Sequence, residues 1–404
     1  MFDIILMVRN MRSILHCDLN NFFASVEMIN RPELRNVPMA VSGDANTRHG
    51  IILAKNDIAK KYGIYTPETV YSALKKCRNL VLIRPNLDEY NKYSKLVNEI
   101  YAKYTDKVEK FGIDESFLDV TESVSIFGTP EKIAYNIKEE IKEKYNLTIS
   151  VGVSFNKSLA KLGSDMKKPD AITILSEETF KEKTENLPVN MLLYVGKNVY
   201  EKLLKMGIKT IGDLRNSNIY RLNKHLGKLG QQIYNYATGL DNEEVKKIGE
   251  RSERKSISKG ITFSSDINNY KELEEHMIKL LSDVSYSLRK KDMKCSVIGI
   301  TLKDNLFVNT NRQKKIDYTN SFGYMCKNLQ CLLNENYVEG VKIRAITVFA
   351  SSLQNDKDNV QMDLFTNVEE KKTNEKYEKA EKALDQLREK FGNTKIDFGN
   401  VKKE

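Results

Sequence analysis

Two adjacent carboxylates, Asp114 and Glu115, stand at a corner between apolar runs. Val108 and Phe111 lead in, and Phe117, Leu118 and Val120 lead out. The pattern predicts a strand, a tight turn and a strand, with the acids at the tip. Like charges held side by side repel, and a bound divalent cation is the usual means of offsetting them. Taken alone, an Asp-Glu corner is better explained as a solvated polar turn. A third acid, Asp18, changes the comparison. It closes the short apolar run Ser13-Ile14-Leu15-His16-Cys17, ahead of the strand-breaking Asn20-Asn21 and the helical spacing of Phe22–Met28. An acid at a strand end before a turn and a helix suits a metal ligand, and it also suits a helix cap. If the two strands are neighbours, the three carboxylates meet at one sheet edge. That is a two-metal site, with cations about 3.5–4 Å apart serving an in-line phosphoryl displacement.

The elements that must position these acids follow in order. Residues 37–77 form a small mixed unit of two strands and two short helices, and Arg48, Lys55, Lys60 and Lys61 give it a positive side. Such a cluster is also what a solvated face looks like. Asp88–Lys103 is expected to be a long helix. Thr129 caps another, with Pro130 in its first turn. Ile133, Ile137 and Ile141 give that helix one apolar face. Leu147–Val153 is a strand, Lys157–Lys167 a helix stopped by Pro169, and Ala171–Leu175 a strand. With the inserted unit removed, the expectation is a ferredoxin-like sheet covered on one face by helices. That is the palm arrangement of nucleotidyl transferases.

Composition bounds the partner. Lys and Arg number 65 against 55 Asp and Glu, a net charge of +10 over 404 residues. This favours a polyanion, nucleic acid before membrane. No apolar run approaches a bilayer span, and the first seven residues are too short for a signal peptide's apolar core. A cytoplasmic protein is expected, and residues 1–10 read as an extension outside the fold. The five cysteines are scattered without CxxC spacing and the four histidines are dispersed, so a zinc site is not expected.

The stretch 187–240 changes texture. Leu192–Lys197, a helix to Met206 and Gly207–Leu214 resemble a helix-hairpin-helix, whose backbone N–H groups grip phosphates without reading sequence. Tyr194 replaces the usual first glycine of that hairpin, while Leu226–Gly230 offers a second one. Lys246–Lys255 reads as a basic linker. Residues 256–352 read as a second α+β domain, with strands at Ser256–Phe263, Cys295–Leu302 and Ile343–Ala350 and helices at Tyr270–Lys291 and Tyr318–Asn334. In the polar tail, Gln361-Met362-Asp363-Leu364-Phe365 fits a peptide ligand for a partner's groove, or a patch folded back on the body. Glu369–Phe391 is expected to be an exposed helix.

From Met11 to Phe365 the chain resembles the Y-family of translesion DNA polymerases, in the DinB (DNA polymerase IV) branch. The motifs are Leu15–Glu27, Gly112–Asp119, Ser150–Lys157 and Gly163–Pro169. The resemblance implies an α+β right hand. The palm spans 11–21 and 87–177, the fingers 22–86 and the helix-hairpin-helix thumb 178–245. A basic linker covers 246–255, an α+β little finger 256–352, and a tail 353–404. It also implies that Asp18, Asp114 and Glu115 are catalytic metal ligands for two Mg²⁺, with the Leu19 carbonyl as a further ligand. Phe23 falls on the steric gate under the incoming sugar, and Lys168 on the triphosphate-binding lysine. Lys60 stands where many relatives carry an arginine, and lacks its bidentate fork. Asp57 replaces a triphosphate-contacting tyrosine, so it repels phosphate unless it turns away. Ile51 and Leu53 are larger than is usual in the roof over the nascent pair. Gln361, Met362, Leu364 and Phe365 resemble a sliding-clamp-binding peptide.

The implied activity is template-directed, low-fidelity DNA synthesis across lesions by a monomer. It uses primer-template DNA and dNTPs, with no proofreading exonuclease. A non-catalytic, clamp-tethered DNA-binding factor of the same fold is the alternative. A palm-type nucleotide cyclase is disfavoured by the thumb, the basic second domain and the clamp-like peptide.

Overall fold

The computed structural model describes residues 12–44, 50–250, 253–356, 377–378, 380–387 and 390. They fall into two compact units, one ending at Glu250 and the other lying beyond it. Residues 1–10, Arg48 and the peptide Gln361–Phe365 lie outside the described residues.

In the first unit, β1 (Ile14–Leu19) is buried along its whole length. Asn21, in left-handed backbone with φ of 51°, turns the chain into α1 (Phe22–Asn30). The inserted unit holds β2 (Met39–Ser42), β3 (Ile52–Lys55) and, further on, β4 (Val81–Ile83), in the order β3-β2-β4. Its helices are α2 (Asp57–Lys61), capped by Asn56, and α3 (Val70–Lys76), capped by Thr69. Their small core is built on Ile52, Ile64, Val70 and Leu80.

The chain continues through α4 (Leu87–Tyr101), β5 (Val108–Lys110), β6 (Glu115–Asp119) and α5 (Val124–Phe127). Then come α6 (Pro130–Tyr145), β7 (Ile149–Ser154), α7 (Lys157–Met166) and β8 (Ile172–Leu175). The five-stranded sheet has the order β5-β6-β1-β7-β8. β1 is central and antiparallel to both neighbours, and its register sets Asp18 opposite Glu115 on one side and Ser150 on the other. Leu15, Cys17, Leu118 and Val151 point to one face, where α4 and α6 cover them with Val97, Ile100, Ile133, Ile137 and Ile141. Burying each of those isoleucines is worth about 1.5–3 kcal/mol.

Helices on one face only was the expectation, and the structure corrects it. Helix α7 crosses the other face, and His16 Nδ1 lies 2.8 Å from Ser164 Oγ on that helix. The approach is close because β7 carries Gly152 there. A Cβ at that position would lie 1.9 Å from the Ala160 carbonyl oxygen.

Five helices complete this unit: α8 (Phe180–Thr184), α9 (Lys197–Lys205), α10 (Ile211–Arg215), α11 (Ile219–Leu226) and α12 (Lys228–Thr238). They enclose Leu203, Ile211, Leu214, Leu222 and Ile233. Tyr194 stands at φ of 66°, so it holds the left-handed backbone that a hairpin glycine would otherwise supply. The stretch read as a basic linker starts bound to this unit. Val245 is buried with Ile14, Phe117 and Ala160, and the Ile248 N–H donates to the Asp106 carbonyl at 2.9 Å.

The second unit contains β9 (Ser256–Ile267), α13 (Tyr270–Arg289), β10 (Met293–Asp304), β11 (Asn309–Thr319), α14 (Phe322–Asn336) and β12 (Ile343–Asn355). All pairings in the sheet β11-β10-β12-β9 are antiparallel. The helices pack on it through Leu273, Met277, Leu281, Met325 and Leu329. Two expectations are corrected here. Strand β11 was not foreseen, and the helix expected from Tyr318 starts at Phe322, capped by Ser321. Being an edge strand, β11 needs little apolar sequence, and its exposed Arg312, Lys314 and Lys315 suit an unpaired edge. The late helix is also not simply exposed. Among its described residues Glu381 is 6% exposed, against the body of this unit.

Candidate active site

The end of β1, the turn before β6, the start of α1 and the loop after α7 meet around one cleft of about 280 Å³. Its lining includes Asp18, Leu19, Phe23, Lys60, Asp114, Glu115 and Lys168, so the fold brings together every described site residue expected from sequence. The Leu19 N–H donates to the Asp114 carbonyl at 3.0 Å, which pins the acidic turn to the end of β1. Asn20 fixes the other wall. Its side-chain Oδ1 accepts from the Asp170 N–H at 2.8 Å and its Nδ2 donates to Ser150 Oγ at 2.9 Å, which holds the loop carrying Lys168.

Lysines neutralise the acids. Lys161 Nζ on α7 lies 3.2 Å from Asp18 Oδ2 and 2.9 Å from Glu115 Oε1. Lys168 Nζ lies 2.7 Å from Asp18 Oδ2 and 2.8 Å from Asp165 Oδ1. His16, fully buried, sets Nε2 3.4 Å from Glu115 Oε2. Burial pushes the Asp18 carboxyl up, against the pull of Lys168 and Lys161. Burial, together with the charges of Asp18 and Glu115, also raises Asp114. For Glu115 burial works in the same direction but loses to His16 and Lys161, so it stays well below the usual carboxylate range. Three crowded acids with their affinities for protons driven apart are the kind of cluster that marks a functional site.

Among the described residues no three or more His, Cys, Asp and Glu side chains close around one point as a metal cage. The donor set nonetheless fits a divalent metal. The carboxylates of Asp18 and Glu115 are both aimed at one position, and Lys161 Nζ stands there as the cation they share. Hard oxygen ligands of this kind suit Mg²⁺.

Phe23 is half-buried at the cleft, its ring stacked on Tyr90 at 4.2 Å and 12°. Tyr90 is itself fully buried and donates its hydroxyl to Glu27 Oε1 at 2.7 Å, so the Phe23 ring has a fixed backing. Asp57 turns out of the cleft lining. Its Oδ1 accepts from Asn21 at 3.1 Å and from Lys60 Nζ at 3.0 Å, so it orients Lys60 and does not confront the cleft. Leu53 lines the cleft, whereas Ile51 is 40% exposed and bridges to Thr69. Sequence reasoning missed Lys161 and His16, which contact the acids, and noted Lys55, which lines the cleft, only as part of a basic cluster.

Comparison with known proteins agrees with this geometry. The family model described as "impB/mucB/samB family" matches residues 17–165, and its C-terminal domain model matches 254–364. A model described as the DNA polymerase-iota thumb domain matches 192–241. The chain is 41% identical over 382 residues to DNA polymerase IV of Acetivibrio thermocellus, covering 94% of this chain and 95% of that one. It is 35% identical over 400 residues to DNA polymerase IV of Clostridium kluyveri, covering 97% and 99%. A solved Y-family DNA polymerase chimera superposes with a TM-score of 0.74 at 23% identity, over 85% of this chain and 99% of the other, and so shares the fold. The fold and cleft define a right-hand polymerase. The chain belongs to the Y-family of translesion DNA polymerases, in the DNA polymerase IV branch. The non-catalytic alternative is not favoured. No helix among the described residues is long and apolar enough to cross a membrane.

Proposed function

We propose that the cleft is the nucleotidyl-transfer centre of a template-directed translesion DNA polymerase, in which Asp18, Asp114 and Glu115 hold two Mg²⁺ with the Leu19 carbonyl as a further ligand. The observation that carries this assignment is the β1–β6 register, which opposes Asp18 and Glu115 and lets them share one cation. When bound, the metals lower the pKa of the primer 3′-hydroxyl and stabilise the leaving pyrophosphate. Lys168 and Lys60 balance charge on the triphosphate of the incoming dNTP. Phe23, backed by Tyr90, sits under the sugar and excludes a 2′-hydroxyl. The hairpins around Tyr194 and Gly227 contact the duplex backbone, and the basic strands of the second unit add further phosphate contacts, so DNA binding falls steeply with salt. Gln361, Met362, Leu364 and Phe365 engage a replication sliding clamp, and the polymerase works as a cytoplasmic monomer. The palm covers 11–21 and 87–177, the fingers 22–86, the thumb 178–245 and the little finger 256–352.

The test is the double variant Asp114→Asn with Glu115→Gln, assayed on primer-template with Mg²⁺ and dNTPs. Extension is expected to vanish while duplex affinity persists, because neither residue grips the DNA backbone. Extension retained by the double variant would falsify the assignment of the site.

A further inference from the structure

The second unit holds an acidic helix in a built pocket. Helical residues at 377–378 and 380–387 carry Glu378, Glu381 and Asp385, spaced three and four apart and so aligned on one face. Glu381 is the centre of the contact. Its Oε2 accepts from Arg289 Nη1 at 2.8 Å and from the Phe322 N–H at 2.8 Å. Its Oε1 accepts from the Gly323 N–H at 3.1 Å and from Ser321 Oγ at 3.2 Å. Four donors, two of them backbone N–H groups in the first turn of α14, converge on one carboxylate. Arg289 has a side chain only 4% exposed and is fixed by the Asn320 carbonyl at 3.0 Å. The rest of its fork takes Asp385, at 2.5 Å from Nε and 3.1 Å from Nη2. Beside it, Lys294 Nζ binds Glu378 at 3.0 Å and Asp356 at 3.1 Å, and Lys382 returns to Asp356 at 3.0 Å. Asp356 and Glu378, which flank the span containing Gln361–Phe365, therefore meet on one ammonium group.

We infer that the pocket of Arg289, Ser321 and the α14 N-terminus is a docking site for the acidic face of residues 377–387 of the same chain, and that this helix is a detachable strap. Detachment follows from what holds it. Of its side chains described, Glu381 alone is buried, while Tyr377 and Leu387 are 41% and 46% exposed. The contact is mainly ionic; the Arg289 pairs are buried and little screened, but the Lys382–Asp356 pair, with Lys382 52% exposed, lies within reach of salt screening. In proteins most helical stability comes from packing and not from propensity, so leaving the pocket and unwinding are one event. The strap is thus a two-state element, and its occupancy falls as ionic strength rises.

Hydrogen exchange on the full chain tests this directly. In low salt the Phe322 and Gly323 amides and those of 380–387 are expected to be protected together. Glu381→Gln with Asp385→Asn, both on the strap and outside the core of the unit, should accelerate exchange of all of them at least tenfold. Raising NaCl from 0.05 to 0.5 M should do the same to the unaltered chain by about threefold or more. A synthetic peptide of residues 377–387, added to a chain ending at 376, should restore protection of Phe322 and Gly323, and Arg289→Gln should abolish that rescue. Unchanged exchange at Phe322 and Gly323 in the double variant, or protection indifferent to salt, overturns the inference. None of these readouts involves nucleotide transfer, so their failure leaves the polymerase assignment untouched, and the reverse holds too.

Discussion

Gly152→Ala is the substitution that bears most directly on how the site is built. Gly152 lies on β7 beneath α7, and an added Cβ would sit 1.9 Å from the Ala160 carbonyl oxygen and 2.5 Å from the Ser164 nitrogen. Both are backbone atoms, so no side chain can swing aside. Real Cβ contacts do not fall below 3.0 Å, so α7 must lift from the sheet by roughly 1 Å in a close-packed interior. Overpacking of this kind costs about 1–3 kcal/mol of stability. The larger effect falls on chemistry. Helix α7 carries Lys161 and Asp165 and leads into Lys168, which contacts Asp18 at 2.7 Å. A displacement near 1 Å in such a constellation lowers turnover by about 10²-fold. Denaturant unfolding and single-turnover primer extension measure the two effects. Gly163→Ala on the same helix is the control. Its Cβ would meet Gly152 Cα at 3.2 Å and Thr173 O at 3.3 Å, which a few tenths of an ångström relieve. The gain in helix propensity, up to about 1 kcal/mol, offsets that strain. Gly152→Ala with unaltered stability and turnover would refute the close packing of α7 as the device that places these lysines.

Two further outcomes are expected. Tyr90→Leu removes the ring stacked at 4.2 Å behind Phe23. A stacked pair is worth about 0.5–1.5 kcal/mol, so discrimination against ribonucleotides should drop about 3- to 10-fold in single-nucleotide incorporation, with Tyr90→Phe unaffected; equal discrimination in both variants would remove Tyr90 from the gate. The second concerns acid stability of the inserted unit. Burial resists charge on Glu68, but Lys76, the Tyr65 N–H and Ser72 outweigh it and hold its carboxyl below the ordinary range. A depressed folded pKa means that the stabilisation is complete above the unfolded value, about 4.3, and is lost as pH falls through the folded one. Unfolding midpoints of the unaltered protein should therefore decline as pH drops below about 4.3, and Glu68→Gln should start lower and flatten that decline. Parallel pH profiles for the two proteins would contradict the assignment.

The acids of the site were legible because they follow from strand alternation. An apolar run that ends in an acid delivers it to the strand end, as with Asp18, and an acidic pair between two apolar runs falls at the turn, as with Asp114 and Glu115. The isoleucines of α6 were legible for the same kind of reason. What stayed hidden depends on long-range partners. Lys161 is a site residue only because Gly152 lets α7 approach the sheet, and nothing near Lys161 in sequence announces this. The role of Glu381 depends on Arg289, 92 positions away, so a Glu- and Lys-rich helix read locally could only look solvated. Strand β11 carries a strand's pairing with an edge strand's polar sequence, and apolar periodicity cannot find it.

Asp57 shows how a local departure is absorbed. On its own, an acid where phosphate must bind is unfavourable. On α2, however, it lies three residues from Lys60, and the two side chains pair at 3.0 Å while Asn21 supplies a second donor at 3.1 Å. Lys161 and Lys168 are likewise held by Asp18, Glu115 and Asp165. Lys60, Lys161 and Lys168 are therefore held as ion pairs before any substrate arrives. On the proposed function, a metal-bound triphosphate would bring both signs of charge and exchange partners with groups of which Asp18 and Lys161 are already largely buried, whereas Asp57 and Lys60 stay largely exposed. Exchange of that kind avoids most of the cost of stripping water from isolated charges. It also explains how a lysine without a guanidinium fork, aimed by an aspartate, can occupy this position without leaving the site with an unbalanced charge.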